Sequence, residues 1–263
     1  MDLIEVDNFD LESLQVYRHL RDNVVTADNS FIADSPKVVN LLIDSGAHVK
    51  SILATNEFYL NEEGRLSKLK EVTFYVATKA TMKKITGYNI HHGVMMHATR
   101  PEEHAIDELD DQIIMIAELS KNDNVGTIAR SAAALGVKSF LVPSQGPHPY
   151  GRRALRVSMG YISQLKLAIY DDLLKCIEDL QSKGYKVIAA EASPQAINLS
   201  TLNVPKKWVL LMGHEGLGLS QEVQDACDCV VKIEMTEKVK SFNVGVASAI
   251  LMYQLVQQGK TLT

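Results

Sequence analysis

The chain has too little cysteine to be held together by disulfides. Cys176, Cys227 and Cys229 are three, an odd number, in 263 residues, and no paired framework can be drawn from them. Cys227-x-Cys229 lacks the second ligand pair of a zinc site. It reads as two small side chains at a helix-to-strand junction, and no metal is expected. Long apolar runs are also missing: none reaches the roughly 18 residues that a membrane span requires, so no membrane partner is expected. The first residues, Met1-Asp2-Leu3-Ile4-Glu5, have neither the basic flank nor the apolar core of a secretion leader. These absences together predict a reduced, cytoplasmic protein. The remaining composition, 46% apolar and 22% charged, is that of an ordinary globular chain.

Positive charge is scarce overall, with a formal net charge of −5, which taken alone disfavours a nucleic-acid partner. Its distribution reverses that inference. Between Asn124 and Tyr170 there is no acidic residue, while Arg130, Lys138, Arg152, Arg153, Arg156 and Lys166 all occur. Between Val72 and Pro101 acids are again absent, and Lys79, Lys83, Lys84 and Arg100 stand with His91, His92 and His97. Phosphate binding follows local potential rather than total charge. Chance clustering on a solvated face is the plainer alternative.

Two units are expected. In the first, 1–107, Phe31-Ile32-Ala33, Val49–Thr55, Val72–Ala77 and Gly93–Thr99 read as strands. Ser35-Pro36 reads as a helix cap and first turn, leading to Gly46, and Thr78–Ile85 reads as a helix closed by Gly87. The acidic stretch Pro101–Asp111 interrupts the apolar periodicity and marks the boundary. In the second unit, 108–263, Ile113–Ala117 and Trp208–Met212 are unbroken apolar runs of the kind buried on both faces of a parallel sheet. Strands at Ser139–Val142, Leu165–Ile169, Lys186–Ala190 and Val230–Ile233 alternate with helices at Val125–Leu135, Asp171–Lys183, Ser220–Ala226 and Asn243–Gln258. The fold class is therefore α/β, with a small unit ahead of a parallel-sheet domain.

Three segments carry chemistry. In Asn124-Val125-Gly126-Thr127-Ile128-Ala129-Arg130, Asn124 reads as a helix cap and Gly126 permits close approach of other backbone. Arg130 supplies a fixed cationic fork suited to phosphate or a developing oxyanion. Six residues separate Asn124 from Arg130, more than one helical turn, so the two converge only if the chain bends at the helix entrance. The plain alternative is a surface arginine on an alanine-rich helix. In Met212-Gly213-His214-Glu215-Gly216-Leu217-Gly218, glycines after a strand let a ligand touch backbone. Their order is not that of the dinucleotide fingerprint, which disfavours a nucleotide-dependent oxidoreductase. Glu215 could brace the turn, and His214 reads as a loop side chain. Ahead of the last helix, Ser241-Phe242-Asn243 holds two cap-type residues where one would serve.

In order and spacing these segments resemble the three motifs of the SpoU (TrmH-like) RNA 2′-O-methyltransferases of the SPOUT superfamily, over about residues 112–258. Tyr150–Gly160 resembles that family's basic stretch, and the first unit looks like its ribosomal-protein-like RNA-binding domain. The resemblance implies a deep trefoil knot and a homodimer whose active site draws on both subunits. It also implies S-adenosylmethionine held by loops around Met212, Gly213, Ile233, Met235, Ser241 and Phe242. Arg130 would be the central catalytic residue acting on a ribose 2′-hydroxyl of rRNA or tRNA. Asn124, Ser241 and Asn243 would position it, with Glu215 as a brace. Arg152, Arg153, Arg156, Lys83 and Lys84 would contact RNA. The chain departs from the family at Glu234, where a proline is usual, at Glu237, where a glycine is usual, at Phe242 for leucine and at Gly245 for a common serine. Glu234, and Glu237 in the charged loop (Glu237, Lys238, Lys240), add negative charge near a cationic cofactor and an anionic RNA. The rival reading is a catalytically inactive RNA-binding or ribosome-assembly protein of the same fold.

Overall fold

A computed structural model describes residues 2–6, 11–18, 28–236, 238–239 and 241–261, residues 260 and 261 without their side chains. Glu237 and Lys240 of the charged loop lie outside the described residues. In chain order the elements are β1 (Leu3–Glu5), β2 (Ser30–Asp34), α1 (Pro36–Asp44), β3 (Val49–Ala54), α2 (Asn56–Leu66), β4 (Thr73–Val76), α3 (Lys79–Thr86), β5 (Val94–Thr99), β6 (Gln112–Ile116), α4 (Asn122–Leu135), β7 (Ser139–Pro143), α5 (Arg152–Val157), β8 (Lys166–Tyr170), α6 (Leu173–Ser182), β9 (Lys186–Ala190), β10 (Ile197–Asn198), β11 (Trp208–Met212), α7 (Gln221–Ala226), β12 (Cys229–Lys232) and α8 (Val244–Thr261).

The chain divides into two compact units. The first is Met1–Glu102 with His148–Ser163, the second Glu103–Pro147 with Gln164–Thr263. This differs from the linear division at residue 107. Local chemistry explains why 148–163 returns to the first unit. Arg152 Nη1 donates to Asp34 Oδ2 at 2.9 Å, and Arg156 Nε donates to Asp34 Oδ1 at 3.0 Å. The Tyr150 and Phe31 rings meet at 5.1 Å. Asp34 is 6% exposed, so α5 is fastened to β2 by a buried ion pair. Removing one partner of such a pair leaves an uncompensated buried charge, at a cost of about 3–5 kcal/mol. Asp34→Ala should lower stability by about 3 kcal/mol, at the low end of that range, because the Arg156 side chain is 43% exposed. Chemical unfolding followed by circular dichroism would measure it, and a loss under about 0.5 kcal/mol, the surface value, would contradict it.

The first unit's sheet runs β1-β4-β3-β5-β2. β1, β4 and β3 are parallel, while β5 is antiparallel to both β3 and β2. All four expected strands are present, and Gly87 closes α3 at φ 80°. Ser35 does not cap α1: its backbone stands at φ 77° and ψ 139°, outside the geometry in which a cap hydroxyl reaches the first amides. Helix α2 has no counterpart in the sequence reading. Only Phe58, Tyr59 and Leu66 are buried among its polar residues. It is held instead by Tyr59, whose hydroxyl donates to the carbonyls of Ile52 and Tyr75 at 2.9 Å each.

The second unit is a seven-stranded sheet in the order β10-β12-β9-β11-β6-β7-β8, with every neighbouring pair parallel. The two apolar runs foreseen as doubly buried strands are its centre: β11 is wholly buried, and so is β6 from Ile113 onward. Ile113, Met115, Leu141, Val187, Val209 and Leu211 share one core with Ile177 and Leu180 of α6. The chain order is discontinuous across the sheet. After β11 the chain passes beyond β9 to form β12, then returns as α8, which packs on α4 and over β11. This return lets loops distant in sequence meet at the carboxyl ends of β9, β11 and β12.

Candidate active site

At the end of β11 the chain turns tightly. His214 N–H donates to the Gly218 carbonyl at 3.2 Å, and Gly218 N–H donates back at 3.0 Å. His214 Nδ1 accepts the N–H groups of Gly216 and Leu217 at 3.0 and 3.2 Å. The imidazole is thus an internal clasp of the turn, as a loop side chain should be. A Cβ on Gly213 would stand 2.8 Å from the Gly218 carbonyl carbon, so the turn closes only because that position is glycine.

Glu215 projects from this turn into a polar network. Its Oε1 accepts from Asn124 Nδ2 at 2.8 Å, and its Oε2 accepts from both N–H and hydroxyl of Ser120 at 3.2 Å. Burial pushes the carboxyl pKa up, but the bonds from Asn124 and Ser120 outweigh it and hold the group below the usual carboxylate range. Asn124 Oδ1 in turn accepts from Asn243 Nδ2 at 3.1 Å. The Asn243 Oδ1 accepts the N–H groups of Gly245 and Val246 at 2.9 and 3.3 Å and so caps α8. One residue therefore both caps a helix and joins the network. Asn124 is not the cap expected of it. Helix α4 begins at Asn122, which places Asn124 within the first turn and frees its amide for Glu215 and Asn243. Close contact between α4 and α8 depends on Gly245, where a Cβ would meet Thr127 Cγ2 at 2.8 Å.

Asn124→Asp should convert this network into a pH-sensitive fault. Its carboxylate would stand where an amide now donates to Glu215, and like charges at that separation raise a carboxyl pKa. A carboxyl raised in the folded state favours folding below its unfolded value and loses that contribution as pH rises. The stability deficit against the parent should therefore widen between about pH 4, near the ordinary carboxylate value, and neutral pH. A thermal-unfolding deficit that does not change with pH would contradict the network.

Beside the turn lies a cavity of about 260 Å³. Met212, Gly213, Ile233, Met235, Ser241 and Phe242, assigned to a cofactor from the sequence, all line it. Phe242 is 40% and Leu217 83% exposed at its edge. Glu234, which replaces the family's proline, does not line it. That carboxylate accepts the N–H of Ser200 at 3.3 Å and is bonded by the Ser200 hydroxyl, away from the cavity. Sequence reasoning did not foresee Ser120 or the strand-end residues Ala190, Glu191 and Ala192. Glu191 Oε2 accepts the Leu219 N–H at 2.8 Å.

Arg130 is exposed on α4 and is not among the cavity-lining residues. Lys83 and Lys84 are exposed in the last turn of α3. Arg152, expected to contact RNA, has its guanidinium on Asp34, on the Tyr88 hydroxyl at 2.8 Å and over the Tyr88 ring at 4.6 Å. Arg156 shares Asp34, while Arg153 is half-buried beside it on α5. An acid-free stretch of sequence is not acid-free in space, because Asp34 comes from over 110 residues away. Among the described residues no group of His, Cys, Asp and Glu could hold a metal ion, and no helix is long and apolar enough to cross a membrane.

A parallel sheet with a glycine turn and a cavity at the carboxyl ends of its strands is the arrangement at which α/β proteins commonly take small ligands. Comparison with known proteins narrows this class. Residues 111–253 match the SpoU rRNA Methylase family, and the chain belongs to that family. It is 27% identical over 203 residues to YacO of Bacillus subtilis (strain 168), assigned to the TrmH family of tRNA/rRNA methyltransferases. That match covers 73% of this chain and 80% of YacO. The AdoMet-bound rRNA methyltransferase of Sinorhizobium meliloti superposes with a TM-score of 0.83 at 18% identity, covering 97% of this chain and 98% of that one. A solved RNA 2′-O ribose methyltransferase gives 0.76 at 20% identity, covering 98% and 99%. At these identities the two structures bear on the fold alone.

Proposed function

We propose that the chain transfers the methyl group of S-adenosylmethionine to a ribose 2′-hydroxyl of rRNA or tRNA. The observation that carries this reading is the convergence of Met212, Gly213, Ile233, Met235, Ser241 and Phe242, from three separate segments, on one cavity. The residues suit the cofactor: the Gly213 turn offers backbone at close range, and Met212, Ile233, Met235 and Phe242 supply apolar walls. When bound there, S-adenosylmethionine supplies an electrophilic methyl group on sulfonium. The chain's own task is to seat the ribose and to stabilise the oxygen as it loses its proton. Asn124, Glu215 and Asn243 hold the first and third segments in register with the glycine turn.

Arg130 is the cationic group of this reading. A guanidinium stays protonated in proteins, so its role is electrostatic stabilisation of the emerging alkoxide rather than proton abstraction. Its exposure outside the cavity fits a homodimer in which one subunit's Arg130 serves the cavity of the other. Val246 and Tyr253 of α8, 46% and 55% exposed, provide an apolar face one heptad apart for that contact. The deep trefoil knot and a substrate-binding role for the first unit, with Lys83 and Lys84, belong to the same reading.

The test is transfer of tritiated methyl groups from S-adenosylmethionine into total RNA of a strain lacking the protein, followed by mapping of 2′-O-methyl sites. Label at a defined ribose is expected. S-adenosylmethionine binding without label in rRNA or tRNA would instead favour the non-catalytic RNA-binding reading.

A further inference from the structure

We infer that Glu191 recognises the ribose of the methyl donor: its carboxylate, seated on the glycine turn, accepts hydrogen bonds from the two neighbouring hydroxyls of the donor's sugar. This rests on the S-adenosylmethionine reading of the cavity. Glu191 directly follows β9 and lines the cavity. The protein fixes its orientation. Oε2 accepts the Leu219 N–H at 2.8 Å and Oε1 accepts the Ala192 N–H at 3.1 Å. The carboxylate fits because Gly218 has no side chain: a Cβ there would lie 2.3 Å from Oε2.

A carboxylate offers about four acceptor positions, and the two backbone donors occupy one on each oxygen. What remains is one acceptor on each of two adjacent oxygens, in a plane the fold has already set. That pattern is complementary to two O–H donors on neighbouring carbons. The cis-diol of a nucleoside has this arrangement; a thioether or sulfonium carries no donor, and an adenine amino group presents its two N–H bonds on a single nitrogen. Lys232 also lines the cavity, yet its Nζ is directed to the Ser193 carbonyl at 3.4 Å and makes no ion pair with Glu191 among the described residues. The charge of Glu191 is therefore available to strengthen bonds to neutral hydroxyls.

Calorimetry on the full chain tests this with S-adenosylhomocysteine and its 2′-deoxy and 3′-deoxy analogues as probes. The parent protein should prefer the ribo form over each deoxy form by about tenfold to a hundredfold, the range for a hydrogen bond to a charged group. In Glu191→Ala that preference should shrink to about threefold or less, the ribo form losing more affinity than either deoxy analogue, each of which keeps only one of the two hydroxyls. Glu191→Gln retains one acceptor oxygen and the side-chain size, so it reports if the alanine variant does not fold; its preference should fall between the two. Retention of the full ribo preference in the variants overturns the inference. So does an equal loss for all three probes, which would make Glu191 only a support of the turn. Failure of the parent protein to bind either S-adenosylmethionine or S-adenosylhomocysteine would instead remove the donor reading itself, and this inference with it.

Discussion

Arg130→Ala should abolish methyl transfer into RNA, with a fall of at least about a hundredfold to a thousandfold, the cost of removing one preorganised donor to a developing oxyanion. Affinity for S-adenosylmethionine should stay within about threefold, a change under 1 kcal/mol, because Arg130 is exposed on α4 and lines no part of the cavity. This split between turnover and donor binding separates an electrostatic role from a structural one. A second measurement shows whose cavity it serves. Co-folding Arg130→Ala with a chain whose own cavity is closed should restore transfer if each site combines one subunit's cavity with its partner's guanidinium. In the mixed dimer one site then has an open cavity and an intact Arg130. No restoration would place the arginine in its own subunit's site, and robust turnover by Arg130→Ala alone would end its catalytic assignment.

The three segments were legible because each contains residues that are costly unless used. Glycines at 213, 216 and 218 after a buried strand, and two cap-type residues at 241 and 243, are local anomalies that a plain strand or helix does not require. The apolar runs at 113–117 and 208–212 were legible for a related reason: a strand buried on both faces needs no alternation. What escaped the sequence depends on partners remote along the chain. Helix α2 buries only Phe58, Tyr59 and Leu66, and its tyrosine hydroxyl reaches two strand carbonyls. Arg152 and Arg156 of α5 are bonded by Asp34 of β2, a partner that the local sequence does not show. Glu191 ends a strand like any solvated acid, and only the missing side chain at Gly218 shows that the turn is built around its carboxylate. Asn124 was legible as special but not in its role, because a helix start two residues earlier turns a cap into a bridge.

The turn itself makes the second large prediction, and its neighbouring glycine supplies the control. Gly213→Ala should reduce S-adenosylmethionine affinity by at least about a hundredfold, equivalent to losing nearly 3 kcal/mol. The added Cβ would meet the carbonyl carbon of Gly218 at 2.8 Å and its oxygen at 2.9 Å. Both are backbone atoms that cannot rotate aside, so the His214–Gly218 bridge must open and carry the cavity wall with it. Neither conformational freedom nor side-chain volume in general accounts for this effect, because Gly213 does not sit at positive φ. Gly216→Ala isolates the point. It also lies in the turn and lines the cavity, yet its Cβ would find only the His214 ring, at 3.9 Å, an ordinary contact. That variant should bind within about threefold of the parent. Calorimetric titration of both proteins decides the matter: equal binding by the two variants, whether both intact or both lost, would show that the Gly213–Gly218 approach does not shape the donor cavity.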